Sequence, residues 1–355
     1  MRSKLSCFLY VVFLFALIFA CSGGGNEKMA NPKIEVKSVE NEQRVDVTID
    51  GQLFTSFLYT DTIPDLKKTV LFPLTTSQGH VITRGFPLQP RAGERMDHPH
   101  HIGLWLNYGE VNELDYWGNS NAIPASRFNE MGVIRNDRIV KTESGAGKGV
   151  LEVEDNWLKP DQSVLLKEHS KFVFMADASS RIIDRTTTLT AQDEKVHFND
   201  TKEGMMAIRM TRALELPSDK PIVLSDTHGD KTNVPVLDNT DVTGDYLNSN
   251  GVTGIDVWGK RAKWVALSGV VEGEDVSVVM FDNPANAGHP TYWHARGYGL
   301  FSVNPLGVGT FSDGKERMDL TLNPGESVTF QYRIAILTGK PDAEKLNAMY
   351  DVYTK

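Results

Sequence analysis

From Ile34 onward, apolar and polar positions alternate with a period of two. Val45, Val47 and Ile49 alternate with polar residues, and Asp50-Gly51 then predicts a hairpin into a second strand over 53–59. Phe172 and Phe174 repeat the pattern. So do Val328, Phe330, Tyr332, Ile334 and Ile336, entered through the turn Asn323-Pro324-Gly325. Further short runs at 150–153, 181–189, 264–271 and 276–281 read as strands. Thirty glycines and sixteen prolines punctuate them, with no βαβ alternation and no fixed repeat. The pattern predicts an all-β protein, a large antiparallel sandwich or a barrel. One helix is predicted after Pro341, where Leu346, Met349, Tyr350 and Tyr353 share a face that can dock on a sheet. The polar, turn-rich segment 217–256 reads as long surface connections at the mouth of a cleft. No linker divides the chain, so a single β-sandwich domain over 33–355 is expected, with two packed β subdomains as the alternative.

The amino terminus departs from this pattern. Met1-Arg2-Ser3-Lys4 precedes an apolar run from Phe8 to Ala20 that is too short for a comfortable membrane span. It ends at Leu17-Ile18-Phe19-Ala20-Cys21, which resembles a bacterial lipobox and implies lipidation of Cys21 after removal of residues 1–20. An ordinary secretory leader is the alternative. Residues 21–32 begin Cys21-Ser22-Gly23-Gly24-Gly25 and suit a flexible tether. The expected location is the cell envelope, at the outer membrane, on its periplasmic face or at the surface. The net charge is −9, and losing Arg2 and Lys4 would make it more negative. That argues against nucleic acid and against a polybasic membrane patch, leaving the lipid as the only membrane contact. Of the two cysteines, Cys7 falls in the leader, so no internal disulfide is expected in the mature chain.

Two polar clusters interrupt the strand pattern. Arg95-Met96-Asp97-His98-Pro99-His100-His101-Ile102-Gly103-Leu104-Trp105-Leu106-Asn107 holds three of the nine histidines. If a strand starts near His100, Ile102, Leu104 and Leu106 face the core, while His101, Trp105 and Asn107 face outward. Imidazole, indole and carboxamide suit the apolar and hydroxyl faces of a sugar. The second cluster lies around His289-Pro290-Thr291-Tyr292-Trp293-His294-Ala295-Arg296-Gly297-Tyr298. Alternation puts Tyr292, His294, Arg296 and Tyr298 on one face. The two clusters are expected to meet in space. Weaker candidates are Arg84, the segment Asp200-Thr201-Lys202-Glu203-Gly204, and Asn112, Asp115 and Trp117. His98 and His100 would aim two imidazoles the same way on a strand, and with His289 or His294 could hold a divalent metal. No Glu follows them at cupin spacing, since Leu104 and Trp105 stand there, and no helical zinc motif is present. No cofactor is therefore expected, a divalent metal being the alternative. A nucleophile elbow, a phosphate loop and a dinucleotide fingerprint are also missing from the sequence.

Asp97-His98-Pro99-His100-His101-x-Gly103-Leu104-Trp105, followed by Gly109-Glu110-Val111-Asn112-x-x-Asp115-Tyr116-Trp117, resembles the bacterial PmoA-like family of unknown function. So do Asp200 to Gly204, Trp258-Gly259-Lys260-Arg261-Ala262-x-Trp264, Phe281-Asp282-x-Pro284-x-Asn286, and His289-Pro290-Thr291-x-Trp293-His294 with Arg296-x-Tyr298-Gly299-Leu300. Ile102 stands where that family usually has Arg. The inherited label "methane oxygenase" does not suit a chain without spans after its leader. The resemblance implies an extracytoplasmic, often lipid-anchored protein of saccharide-using bacteria. It also implies a fold like the galactose-mutarotase supersandwich, whose His and carboxylate pairs do acid–base work on sugars.

The leading expectation is an enzyme acting on a carbohydrate, by lyase, epimerase or hydrolase chemistry. His101 and His294 would be acid and base, with Asp97 or Glu203 tuning them. Arg84 and Arg296 would hold a carboxylate or developing negative charge. His98, His100, Trp105, Asn107, Tyr292 and Tyr298 would contact substrate, and Trp293 is a weaker stacking candidate. The competing expectations are a lipid-anchored glycan-binding protein without catalysis, and a metal-dependent hydrolase.

Overall fold

Strands with one apolar face must cover it, and here two antiparallel sheets cover each other. A computed structural model describes residues 31–355. The expected leader, Cys21 and most of the tether lie outside the described residues. One sheet has nine strands, in the order Tyr292–Ala295, Leu300–Asn304, Gly204–Arg209, Leu104–Tyr108, Val70–Leu71, Gln52–Leu58, Arg44–Ile49, Lys33–Val39 and Gly145–Ala146. The other has eight, in the order Asp245–Asn248, Trp264–Val271, Glu274–Asp282, Ser327–Thr338, Ser180–Ala191, Val164–Ala176, Lys148–Leu158 and Val133–Glu143.

Alternation sorts the side chains between faces. Leu104, Leu106, Met206, Ile208, Phe301 and Val303 of the first sheet share the main core with Phe172, Phe174, Val278, Met280, Ile334 and Ile336 of the second. The protein is thus an all-β antiparallel sandwich. The outer face of the eight-stranded sheet carries Trp264, Ala266, Val279, Phe281 and Ala335, covered by Leu346 and Tyr350 of the helix Ala343–Tyr353. Asp342 caps that helix by accepting from the Lys345 N–H at 2.8 Å. Among the described residues, no helix is long and apolar enough to cross a membrane.

Two sequence expectations need correction. The segment 217–256 is more than connection: it contains the hairpin Ile222–Ser225 with Lys231–Val234, and the edge strand Asp245–Asn248. The strand after the histidines begins at Leu104, not near His100. His98–His101 is a turn closed by the His101 N–H on the His98 carbonyl at 2.9 Å. Gly103, at φ +58, joins the turn to the strand, and a Cβ there would stand 2.2 Å from the Leu71 carbonyl oxygen. The change of direction breaks the alternation, so Ile102 packs with Trp105 and Trp117 outside the sandwich instead of in its core.

Candidate functional site

The site lies on the outer face of the nine-stranded sheet. Register pairs Trp105 with Ala207, Ala207 with Ser302, and Ser302 with His294, so one row crosses four strands. Strands stand ~4.8 Å apart, which puts Trp105 and His294 roughly 14 Å apart along that row. The two histidine-bearing segments therefore share one face of one sheet.

At one end, buried arginines build the His turn. Arg84 donates to the carbonyls of Asp97 at 2.7 Å, His98 at 2.9 Å and His101 at 3.0 Å, and to the Asp97 carboxylate at 2.7 Å. Arg209 donates to the same carboxylate oxygen at 2.6 Å and to His101 Nδ1 at 3.2 Å. Burial alone would raise the Asp97 pKa. The contact from His98 and the charges of Arg209 and Arg84 outweigh it and hold the carboxyl well below its usual range. Burial and the like charge of Arg209 push Arg84 down to about 9, which leaves it charged at neutral pH. Lys68 also clamps the turn, donating to the His100 carbonyl at 2.6 Å and lying over the Trp105 ring. Burial pushes Lys68 down to about 7, against a smaller raise from Asp115.

Four rings stack on this frame. Tyr298 and His98 are parallel within 3° at 5.3 Å, His98 and His101 within 3° at 4.9 Å, and His101 and Trp105 within 19° at 5.4 Å. The column decides which imidazole meets solvent. The His98 side chain is 42% exposed, and its Nδ1 lies 3.3 Å from Asp97 Oδ1. Its backbone sits at φ +43, an uncommon conformation of the kind that concentrates at functional sites. His101 is 1% exposed beneath it. Because Arg209 donates to His101 Nδ1, the proton of the neutral ring is on Nε2, which is buried without a partner. Burial, reinforced by the charges around it, pushes His101 well below its ordinary value.

Several expectations fail on this geometry. His101 is the buried support of His98 and does not face substrate directly. Trp105 is fully buried, and its indole N–H donates to Asn107, whose amide donates in turn to the Tyr116 carbonyl. Neither offers a surface to a sugar. Arg84 is sealed among carbonyls. Trp293 lies in the core, its N–H on the Ala262 carbonyl. His289 cannot join His98 and His100 around a metal, because Asp282 takes its Nδ1 at 2.7 Å and the Tyr350 hydroxyl its Nε2 at 3.3 Å. Both partners belong to the other sheet and its helix. Tyr292 gives its hydroxyl to Glu316 at 3.0 Å and stacks on Phe311 as wall. Asp200 accepts from the backbone N–H groups of Gly309 and Thr310. His100 is partly buried against its two neighbours, and its pKa is well lowered, by burial first and then by Lys68.

The second cluster holds its place. A turn at Arg296–Gly299, closed by the Gly299 N–H on the Arg296 carbonyl at 3.1 Å, joins the strands bearing His294 and Ser302. His294 donates its Nδ1 hydrogen to the Lys202 carbonyl at 2.9 Å, which leaves Nε2 as the free lone pair. Glu203 approaches the same ring at 3.9 Å and pairs with Lys202 at 2.8 Å. Burial pushes His294 down to about 4, with Glu203 opposing and Arg296 reinforcing. Tyr298, at the hairpin tip, ties the ends together: the Arg209 guanidinium lies 4.8 Å and that of Arg296 5.7 Å from its ring. Burial raises its pKa, the charges of Arg209 and Arg296 lower it, and those of Glu203 and Asp97 raise it, so both clusters act on one phenol. Beside Glu203 opens a cleft of about 330 Å³ with Glu110, Glu113, Asp115 and Thr201 in its lining.

Sequence reading missed Arg209 and Lys68, and named Trp258 only within a family motif, without a role in the site. A lone charge within the apolar run Met205–Met210 marked Arg209, because a buried charge needs a partner. Lys68 carried no such signal. Trp258 is 37% exposed, with the Arg296 guanidinium 5.7 Å from its ring.

No curated protein matches the chain. Among solved structures, it is similar to a galactose mutarotase-like protein from Clostridium acetobutylicum, with 12% identity, TM-score 0.40, and coverage of 87% of this chain and 99% of that one. It is also similar to a galactose 1-epimerase from Lactobacillus acidophilus NCFM, with 9% identity, TM-score 0.35, and coverage of 87% and 98%. A family model matches residues 44–351, which takes in both histidine clusters and every side chain of the site. The chain belongs to that family, DUF6807, a family of unknown function.

Proposed function

We propose that this face is the active site of a carbohydrate-active enzyme that moves protons on a sugar or glycoside. One observation carries the reading: Tyr298 stacks on His98 beside Asp97 and lies 5.7 Å from the guanidinium of Arg296, whose charge also reaches His294 beside Glu203 and which, among the described residues, has no ion-pair partner. Asp97, kept ionised by two arginines, orients His98 and faces the positive charge that the ring carries before it gives its proton to the substrate. His294 is neutral at physiological pH and presents Nε2 as a base. His98 then serves as the partner acid. Imidazoles in place of two carboxylates flanking a bond favour elimination or epimerisation over ordinary glycoside hydrolysis. Trp258 offers the exposed aromatic face on which a pyranose packs.

We infer further that the protein is PmoA-like and works outside the cytoplasm. The lipobox-like run before Cys21 supports an envelope location, with the lipid as anchor. Cys21→Ser is expected to move the protein from the membrane to the soluble fraction; an unchanged membrane fraction contradicts the anchor.

The test is turnover of a panel of glycosides and polysaccharides, followed as kcat/KM against pH. The expected profile loses activity on its acid side as pH falls through about 4, where His294 gains a proton. Saturable binding without turnover across the panel would instead make this a glycan-binding protein. The absence of both binding and turnover would end the carbohydrate reading.

A further inference from the structure

Arg296 is unlike every other described arginine. The others each donate a side-chain hydrogen bond to a carboxylate, a carbonyl or a hydroxyl. Among the described residues, Arg296 makes no side-chain hydrogen bond and no ion pair, in a chain with 46 acidic residues against 37 basic. It is held by ring faces instead, 5.7 Å from Trp258 and 5.7 Å from Tyr298. Two aromatic faces restrict a guanidinium while leaving its N–H edge unused, and that edge fits a planar or tetrahedral oxyanion. Arg296 is only half-buried, so the edge is open to a ligand.

We infer that the saccharide is anionic, carrying a carboxylate or a sulfate ester, and that Arg296 grips that group. This rests on the carbohydrate reading above and adds the substrate class. The electrostatics also orient the ligand. Glu110, Glu113 and Asp115 line the cleft beside Glu203, where the one lining cation, Arg127, is paired with Glu130, so the cleft repels an anion. The charged group therefore lies at the Trp258 end, and neutral parts of the glycan extend toward Glu203. An anion on Arg296 sits near His294, whose imidazole already feels the Arg296 charge.

Calorimetric titrations of the full protein test this with four probes: an oligogalacturonide, its fully methyl-esterified neutral form, a sulfated galactan oligosaccharide and its desulfated form. The wild type is expected to bind at least one charged form about tenfold or more tighter than its neutral counterpart, with the preference shrinking as salt rises. Whichever charged form is preferred identifies the anion. Arg296→Gln is expected to abolish the preference for the charged form over its neutral counterpart. Arg296→Lys should keep part of it, because the charge survives and the fork does not. Circular dichroism confirms that each variant is folded. Equal binding of charged and neutral forms by the wild type overturns the inference and leaves the carbohydrate reading intact. So does a preference that survives in Arg296→Gln. Failure of all four probes to bind defeats both.

Discussion

Asp97→Ala is expected to lower the unfolding free energy by about 3 kcal/mol, because it strips two buried guanidiniums of the carboxylate that both of them contact. Arg84 and Arg209 are 1% and 0% exposed at the side chain, and both converge on Asp97 Oδ1. Removing one partner of a buried ion pair typically costs ~3–5 kcal/mol, more than the pair contributes net, since the remaining charge stays desolvated. The lower end applies here because the Asp97 side chain is 34% exposed and water can replace part of it. Asp97→Asn keeps one acceptor oxygen and should cost less. The double variant Asp97→Ala/Arg209→Met removes one of the stranded charges and should recover part of the loss. Urea unfolding followed by tryptophan fluorescence reads all three. A loss below about 1 kcal/mol for Asp97→Ala would mean that the trio does not hold the His turn in place.

The second large effect is kinetic. His98→Ala and His294→Ala should each lower kcat by about 10²- to 10⁴-fold on the substrate that turns over, with little change in KM. His101→Ala should act differently. Its ring supports His98 by stacking and touches no solvent, so part of its effect should appear as lost stability. His289→Ala is a control on the far side of the fold. It removes the bridge from Asp282 to Tyr350 and should lower stability while leaving kcat unchanged. Equal losses of kcat in His98→Ala and His289→Ala, at comparable folded fractions, would refute the placement of the site.

The sandwich was legible because period-two alternation is a direct record of which face is buried. Val45, Val47 and Ile49, or Val328 to Ile336, needed no further information. The C-terminal helix was legible for the same reason, from four residues on one face. The site was legible in its segments and not in its roles. Extending the strand back through His100 assigned the outward position to His101. The His98–His101 turn folds His98 over His101 and buries His101 against Trp105, and that turn leaves no mark on the apolar pattern. His289 resembled a ligand in sequence, but its partners Asp282 and Tyr350 are set by packing between sheet and helix. Arg84 and Arg296 looked alike as cations. Only the fold shows that one is consumed by backbone carbonyls and that the other, among the described residues, makes no ion pair.

The central claim is that His98 and His294 share one saccharide site across the outer face of the nine-stranded sheet. The most direct measurement is a titration of the folded protein with a bound oligosaccharide, followed through the imidazole ¹⁵N resonances of both residues. The account predicts that the two Nε2 signals move together along one binding isotherm, while those of His289 and His197 stay fixed. Saturable saccharide binding that leaves the His98 and His294 signals unmoved would contradict it.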